Sequence, residues 1–165
     1  MKNAINLNGQ TGNVVVFDSQ MQVDGQAVDD TATMSGKLGN GSLVVGRAGD
    51  TGTLDLTAQN KLRKLTVNAG RVSTQNGGNL SGRLMQASGG AITVNGGTLI
   101  MAGAEHATSL DVQTAGVAVS MAGLAVNAAF NNRGVTMLLG ATTANRLTNT
   151  TNTTNTTNTT NTTNT

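Results

Sequence analysis

The chain of 165 residues has no Cys, no Pro, no Trp and no Tyr, and it contains only 2 Phe and 1 His. Without Cys there is no disulfide scaffold, no thiolate nucleophile and no Cys zinc site, and a single His excludes a His-rich metal cluster. Aromatic side chains usually supply much of a buried core, so aliphatic residues must supply nearly all of it here. We therefore expect neither a compact helical enzyme nor a metal or other cofactor.

Gly, Thr and Asn dominate what is present, with 22 Gly, 27 Thr and 20 Asn. This composition is typical of strands and turns. The formal net charge is only +2. So small an excess of Lys and Arg creates no strong electrostatic field, and we expect no nucleic-acid partner. As written, the N-terminus has no apolar run of the kind found in a Sec signal peptide, and the long uncharged stretch 112–132 is too polar to predict a membrane span.

The most informative feature is a repeated triplet in which two apolar residues flank a third residue. The triplets start at Val14, Met21, Ala32, Leu43, Leu54, Leu65, Ile92, Leu99, Leu110, Val117, Leu124 and Val135. From Met21 to Leu65 they recur every 11 residues, and from Ile92 onward the steps are 7, 11, 7, 7 and 11. Only the segment 72–91 breaks this spacing.

The period of 2 within each triplet predicts a half-buried strand, with the outer residues facing inward and the middle residue facing outward. Val117 and Val119, like Val135 and Met137, are therefore expected inside. Many triplets precede a small residue or Asx and then Gly, as in Val94-Asn95-Gly96, which predicts a sharp corner. Equal strands and corners at fixed spacing favour a β-solenoid, in which two 11-residue units form one coil.

The C-terminal segment 148–165 contains only Thr and Asn, in a three-residue period. A period of 3 keeps no residue type on one face of a strand, and no apolar side chain is available for burial, so we predict a disordered tail. The predicted organisation is an N-terminal cap or lead-in at 1–12, a β-solenoid at 13–147 and this low-complexity tail. The tail also carries five Asn-Thr-Thr sequons, which are candidate glycan acceptors at Asn149, Asn152, Asn155, Asn158 and Asn161.

Paired carboxylates are what a polysaccharide-cleaving β-helix enzyme would require. Asp24 and the pair Asp29-Asp30 fit solvated turns better. Asp55 and Asp111 occupy outward strand positions, but they lie far apart in the sequence. We therefore predict no catalytic residues.

Two further groups of polar residues are candidate sites. Glu105 and His106 fall in one of the longer gaps between triplets and are predicted to form an exposed loop pair, because no nucleophile accompanies them. Lys61, Arg63 and Lys64 form the only basic run, a candidate contact for an anionic ligand such as a glycan or phosphate group. A solvated basic edge is the simpler interpretation of that run.

The segments 41–46 (GSLVVG), 52–57 (GTLDLT) and 92–99 (ITVNGGTL) resemble the passenger β-helix repeats of bacterial autotransporter adhesins. The resemblance extends over about residues 13–140. It implies an all-β fold, a right-handed parallel β-helix formed by one chain, that is displayed on the bacterial cell surface or outside the cell as a stalk or adhesin.

The expected function is therefore a non-enzymatic structural or adhesive β-solenoid module, such as a fragment of an autotransporter passenger. Its expected partners are a host or surface glycan or protein, and a second copy joined through the solenoid ends. A phage or virus tail-fibre component is the alternative, and a polysaccharide-cleaving β-helix enzyme is the third hypothesis.

Overall fold

The computed structural model describes residues 3–6, 13–16, 21–23, 26–28, 31–35, 42–46, 53–56, 62–74, 84–85, 89–150, 153–155 and 159–161. Side chains are described for residues 43–46, 62–74, 84–85 and 89–150. Every regular element within these ranges is a β-strand. The strands are β1 (Asn3–Asn6), β2 (Asn13–Val16), β3 (Met21–Val23), β4 (Gln26–Val28), β5 (Thr31–Ser35), β6 (Ser42–Val45), β7 (Thr53–Leu56), β8 (Lys64–Val67), β9 (Arg71–Ser73), β10 (Ala91–Met101), β11 (Glu105–Ala107), β12 (Ser109–Ser120), β13 (Leu124–Asn132), β14 (Val135–Leu138), β15 (Thr142–Asn149), β16 (Thr153–Asn155) and β17 (Thr159–Asn161).

The strands stack in parallel as successive coils, so the predicted β-solenoid is confirmed. Each coil has up to three sides. Side A contains β2, β6, β8, the first parts of β10 and β12, and the last parts of β13 and β15. Side B contains β1, β5, β7, β9, the last parts of β10 and β12, β14 and β16. Side C contains β11, the first parts of β13 and β15, and β17.

The core is a column of large apolar side chains on the inner surface of side A. Leu43 lies opposite Leu65, and Leu65 lies opposite Ile92. The column continues through Leu110 to Phe130, and all five side chains are fully buried. Stacked strands bring equivalent residues within contact distance, so burial of this column removes most of its apolar surface from water. The inward ladder predicted from the triplets is therefore confirmed on this side.

Coil length varies along the chain. Leu43 and Leu65 are 22 residues apart in register, which confirms that two 11-residue units form one coil in this stretch. The next coil is longer, because Leu65 pairs with Ile92, which is 27 residues later. An isolated parallel bridge also joins Leu62 to Met85. Ile92 and Leu110 then pair after 18 residues, and the shorter coils gain side C as a third strand position.

The N-terminal part contains an antiparallel excursion that the triplet spacing does not reveal. β2 pairs antiparallel with β3, and β3 pairs antiparallel with β4. The Met21 triplet therefore lies outside the parallel ladders. Two residues, Asp24-Gly25, separate β3 from β4, and Asp-Gly is a preferred sequence for a two-residue hairpin connection. Alternation with period 2 is common to parallel and antiparallel strands, so it does not specify the direction of the partner.

The corner predicted after Val94 lies inside a long strand, opposite a bulge in β12. β10 continues through Asn95, Gly96 and Gly97, and its register against β12 shifts between Val94 and Gly96. Gly97 has φ +70°, in the left-handed region. A Cβ atom at this position would also meet the backbone of Gly70 in the preceding coil. The tight turn and the close approach of two coils both explain why this corner has Gly.

The inward and outward faces of side B are opposite to the prediction in the last coils. Leu99 is buried as predicted, but its partner in the next coil is Ala118, and Ala118 in turn pairs with Thr136. The buried residues are therefore the middle ones of their triplets, and Val117, Val119, Val135 and Met137 face outward. Between Val94 and Gly96 of β10, the paired strand β12 contains one extra residue, and a shift of one residue is sufficient to exchange the two faces of a strand.

Part of the Thr/Asn segment is in the solenoid. β15 extends to Asn149, β16 pairs in parallel with β14, and β17 pairs in parallel with β15. The sequence predicts disorder for 148–165. These short strands lie within that range, the rest of the segment lies outside the described residues, and the disorder of the segment stays a prediction. Thr has a high strand propensity, and the preceding coil offers an open edge for backbone hydrogen bonds.

Candidate functional site

The outer surface of side A, which we call the A face, has a column of small polar side chains along the solenoid. The column contains Thr66, Thr93, Asp111, Asn131 and Thr148, each in register with the next. All five side chains are half-buried between neighbouring coils. The column therefore offers hydroxyl, carboxylate and amide groups at the coil spacing, which is about 4.8 Å.

Hydrogen bonds between side chains fix the edge of the A face. The Asn95 Nδ2 group donates to Asn68 Oδ1 in the preceding coil at 2.8 Å. The Gln113 Nε2 group donates to Asp111 Oδ2 at 2.9 Å, and the Arg133 guanidinium donates to Gln113 Oε1 at 2.9 Å. Side chains held by such bonds lose less conformational freedom when a ligand binds.

Exposed cations border the A face. Arg63 and Lys64 of the predicted basic run are exposed, and Lys64 begins the side A strand β8. The third member of the run, Lys61, lies outside the described residues. Arg133 and Arg146 are also exposed, and Arg146 lies on side A beside Ala129. The structure thus extends the candidate anionic-ligand contact from one short run to cations that border several coils of one face.

Glu105 is buried, so the prediction of an exposed loop pair is wrong for this residue. It lies on the inner surface of side C, in β11, and only 3% of it is exposed. Its carboxylate accepts hydrogen bonds from the backbone N–H groups of Leu84 at 2.7 Å and Met85 at 3.1 Å. The carboxylate therefore satisfies two buried donors of the preceding coil. No feature of the local sequence indicated this role, because the donors are about 20 residues away.

His106 faces outward on side C and is half-buried. Its Nε2 atom lies 2.9 Å from Asn127 Oδ1, a contact that places a proton on Nε2. Asn145 in the following coil donates from Nδ2 to the backbone carbonyl of Asn127. His106 is thus part of a polar ladder between coils.

The carboxylates with described side chains do not form a catalytic pair. Glu105 faces the interior of the solenoid, whereas Asp111 lies on the A face. Asp55 is in β7, but the structure does not describe its side chain. Asp24, Asp29 and Asp30 lie outside the described residues. Within the described part of the chain, no group of three His, Asp or Glu residues is placed to hold a metal ion.

The candidate glycan acceptors occupy different positions. Asn149 ends β15, is exposed, and accepts a hydrogen bond at its Oδ1 atom from Asn132 Nδ2. Asn155 is in register with the buried Leu138, and Asn161 with the buried Ala144. Asn152 and Asn158 lie outside the described residues. Asn149 is therefore the acceptor with an exposed, described side chain.

No stretch of helix among the described residues has both the length and the apolar character needed to cross a membrane. Comparison of the chain with protein-family models, with curated proteins and with solved structures gives no match.

Proposed function

We propose that this chain is a non-enzymatic structural or adhesive β-solenoid module that presents the A face to a glycan or protein. The observation that carries the proposal is the polar column of the A face, which continues over five coils in strict register. A repeating ligand could contact equivalent groups on successive coils. Many weak contacts at a common spacing then add to a useful affinity without a deep pocket.

The location that agrees with this role is the bacterial cell surface or the extracellular space, as for a fragment of an autotransporter passenger. Adhesion requires a face that is accessible and fixed in shape. The hydrogen bonds Asn95–Asn68 and Arg133–Gln113 hold part of the edge of the A face in place before any ligand arrives. The exposed cations at its border favour an acidic glycan over a neutral one.

A binding assay with immobilised polysaccharides tests this function. The panel contains a neutral glucan, a polyuronate and a sulfated glycan, each with the full chain and with the double variant Arg133→Ala/Arg146→Ala. Arg71→Ala is the matched control, because Arg71 is an exposed cation on side B. We expect binding to the acidic glycans that weakens at least about tenfold in the double variant and falls with added salt, while the control binds normally.

The assay also separates the module from an enzyme. Reducing ends are measured after prolonged incubation of the full chain with each polysaccharide. We expect none above the level of buffer alone. Release of reducing ends, or equal binding by the double variant and the full chain, would contradict the proposal.

A further inference from the structure

Three side chains form a hydrogen-bonded chain across two coils at the edge of the A face. The Asp111 carboxylate accepts a hydrogen bond from Gln113 Nε2 at 2.9 Å, and Gln113 Oε1 accepts one from the Arg133 guanidinium at 2.9 Å. Gln113 is half-buried, whereas Arg133 is exposed. The neutral amide of Gln113 therefore lies between an acid and a base that form no ion pair with each other.

The amide of Gln113 has one orientation that satisfies both neighbours. Its Nε2 group must face the Asp111 carboxylate, which only accepts hydrogen bonds, and its Oε1 atom must face the Arg133 guanidinium, which only donates them. A flipped amide would place acceptor against acceptor and donor against donor. Each of the two bonds includes a charged group, and such bonds are stronger than those between neutral groups.

The main chain of this corner is fixed as well. The Arg133 N–H group donates to the Val112 carbonyl in the preceding coil at 2.8 Å. Gly134 follows directly, and a Cβ atom at this position would meet the backbone carbonyl oxygen of Gln113. Arg133 is thus held by its backbone, where the two coils approach closely, and by its guanidinium, through Gln113.

The positive charge of Arg133 is oriented without being neutralised by a direct contact. Its Nη1 group is bound to Gln113, which leaves the edge formed by Nε and Nη2 for another partner. Two parallel N–H groups of this kind match the two oxygens of a carboxylate. A side chain that is already held in one orientation loses less conformational freedom when it binds.

We propose that Arg133 binds the carboxylate of a uronic acid in a polysaccharide, and that Gln113, held by Asp111, positions it. The proposal rests on the proposed function of the A face and narrows its ligand class. Asp111 is itself an anion on that face, and like charges brought close together are unfavourable. A polyuronate has one carboxylate on each sugar, so it meets this anion with a lower charge density than a densely sulfated glycan does.

Binding of the full chain to polygalacturonate and to dextran sulfate, at one physiological ionic strength, tests the proposal. We expect the full chain to prefer polygalacturonate. Arg133→Lys keeps the charge but removes the paired N–H groups, and Gln113→Met keeps the length of the side chain but removes both of its hydrogen bonds. Each variant should weaken polygalacturonate binding about three- to tenfold. Binding to dextran sulfate depends mainly on charge and should change less than about twofold.

Two control variants carry similar changes on other sides of the solenoid. Arg71→Lys lies on side B and Thr143→Met on side C, and both residues are exposed. Both variants should bind like the full chain. The melting curve of each variant shows whether it is folded. The ratio of the two affinities reports on recognition of the carboxylate, because a merely structural defect would weaken binding to both glycans.

The double variant Gln113→Met/Arg133→Lys tests whether Gln113 acts through Arg133. Once the paired N–H groups are gone, loss of Gln113 no longer misorients them. We therefore expect the double variant to bind polygalacturonate as well as Arg133→Lys alone, whereas independent roles would give additive losses.

Three outcomes would overturn the proposal and leave the proposed function standing. They are equal or tighter binding of the full chain to dextran sulfate, unchanged polygalacturonate binding by Gln113→Met, and additive losses in the double variant. Absence of binding to either acidic glycan would contradict the proposed function as well as this proposal.

Discussion

The buried carboxylate of Glu105 provides the sharpest energetic test of the structure. Replacing it with Ala would leave the backbone N–H groups of Leu84 and Met85 without their acceptor inside the protein. Each buried donor that loses its partner costs about 1–3 kcal/mol, so the two together lower the free energy of unfolding by roughly 2–6 kcal/mol. A single domain is stable by only about 5–15 kcal/mol, so the loss should be large.

Glu105→Leu separates the hydrogen bonds from apolar packing. In the next coil the residue in register with Glu105 is Leu124, so Leu at 105 would extend an apolar column. If burial of apolar surface decides stability here, this variant is more stable than the parent. We expect it to be less stable, because the donors of Leu84 and Met85 remain buried and unpaired.

Urea denaturation of the parent and both Glu105 variants measures these differences. Thr143→Ala is the control, because Thr143 is exposed on the outer surface of side C, and it should change the free energy of unfolding by about 0.5 kcal/mol or less. Hydrogen exchange gives a local readout, since the amides of Leu84 and Met85 should lose protection before the rest of the core. Unchanged stability of Glu105→Ala, or a more stable Glu105→Leu, would refute the reasoning.

Three further predictions concern the strands. Leu65→Asp should lower the free energy of unfolding by several kcal/mol, whereas Thr66→Asp, one residue away and facing outward, should lower it much less. Equal losses in urea denaturation would show that the inward and outward faces of side A are assigned wrongly. Ala118→Leu should overpack the interior of side B and lower the free energy of unfolding by about 1–3 kcal/mol, while Val119→Leu should be nearly neutral. The reverse order would support the prediction from the triplets, in which Val119 faces inward. Hydrogen exchange should show protected amides in β16 and β17, and exchange of both strands at random-coil rates would favour the disorder predicted from composition.

The sequence predicts the inner and outer faces of side A well, because large apolar residues stay on the inner face of its strands. Leu43, Leu65, Ile92 and Leu110 occupy equivalent triplet positions, and the spacing between them follows the coil length. Their burial is therefore readable from alternation alone. The polar middle positions Thr66 and Asp111 were likewise predicted to face outward, and they form part of the A face.

The inward and outward faces of side B could not be predicted from the sequence in the last coils. Alternation there predicts one set of inward residues, and the observed register places the other set inward. In the triplet Val117-Ala118-Val119 the larger residues suggest an inward face at both ends. The structure instead aligns Ala118 with the buried Leu99, because β12 contains one extra residue between Val112 and Ala115. A bulge adds one residue to one strand, and its presence depends on the neighbouring coil rather than on the local sequence.

The role of Glu105 could not be predicted from the sequence either, because it depends on contacts between distant residues. The local sequence shows an acid beside His106, in a gap between apolar triplets. The N–H groups that it binds belong to Leu84 and Met85, in the segment where the repeat spacing fails. Buried backbone N–H groups require an acceptor, and the sequence does not indicate which distant side chain provides it.

The central claim is that the chain forms stacked parallel coils, and contacts within the side A column test it most directly. Nuclear Overhauser effects should connect the methyl groups of Leu110 with those of Ile92 and with the ring of Phe130, residues that are 18 and 20 positions away. An antiparallel meander would instead pair each strand with its neighbour in sequence and connect Val94 with Leu99. Observation of the first set of contacts supports the solenoid, and observation of the second in its place would contradict it.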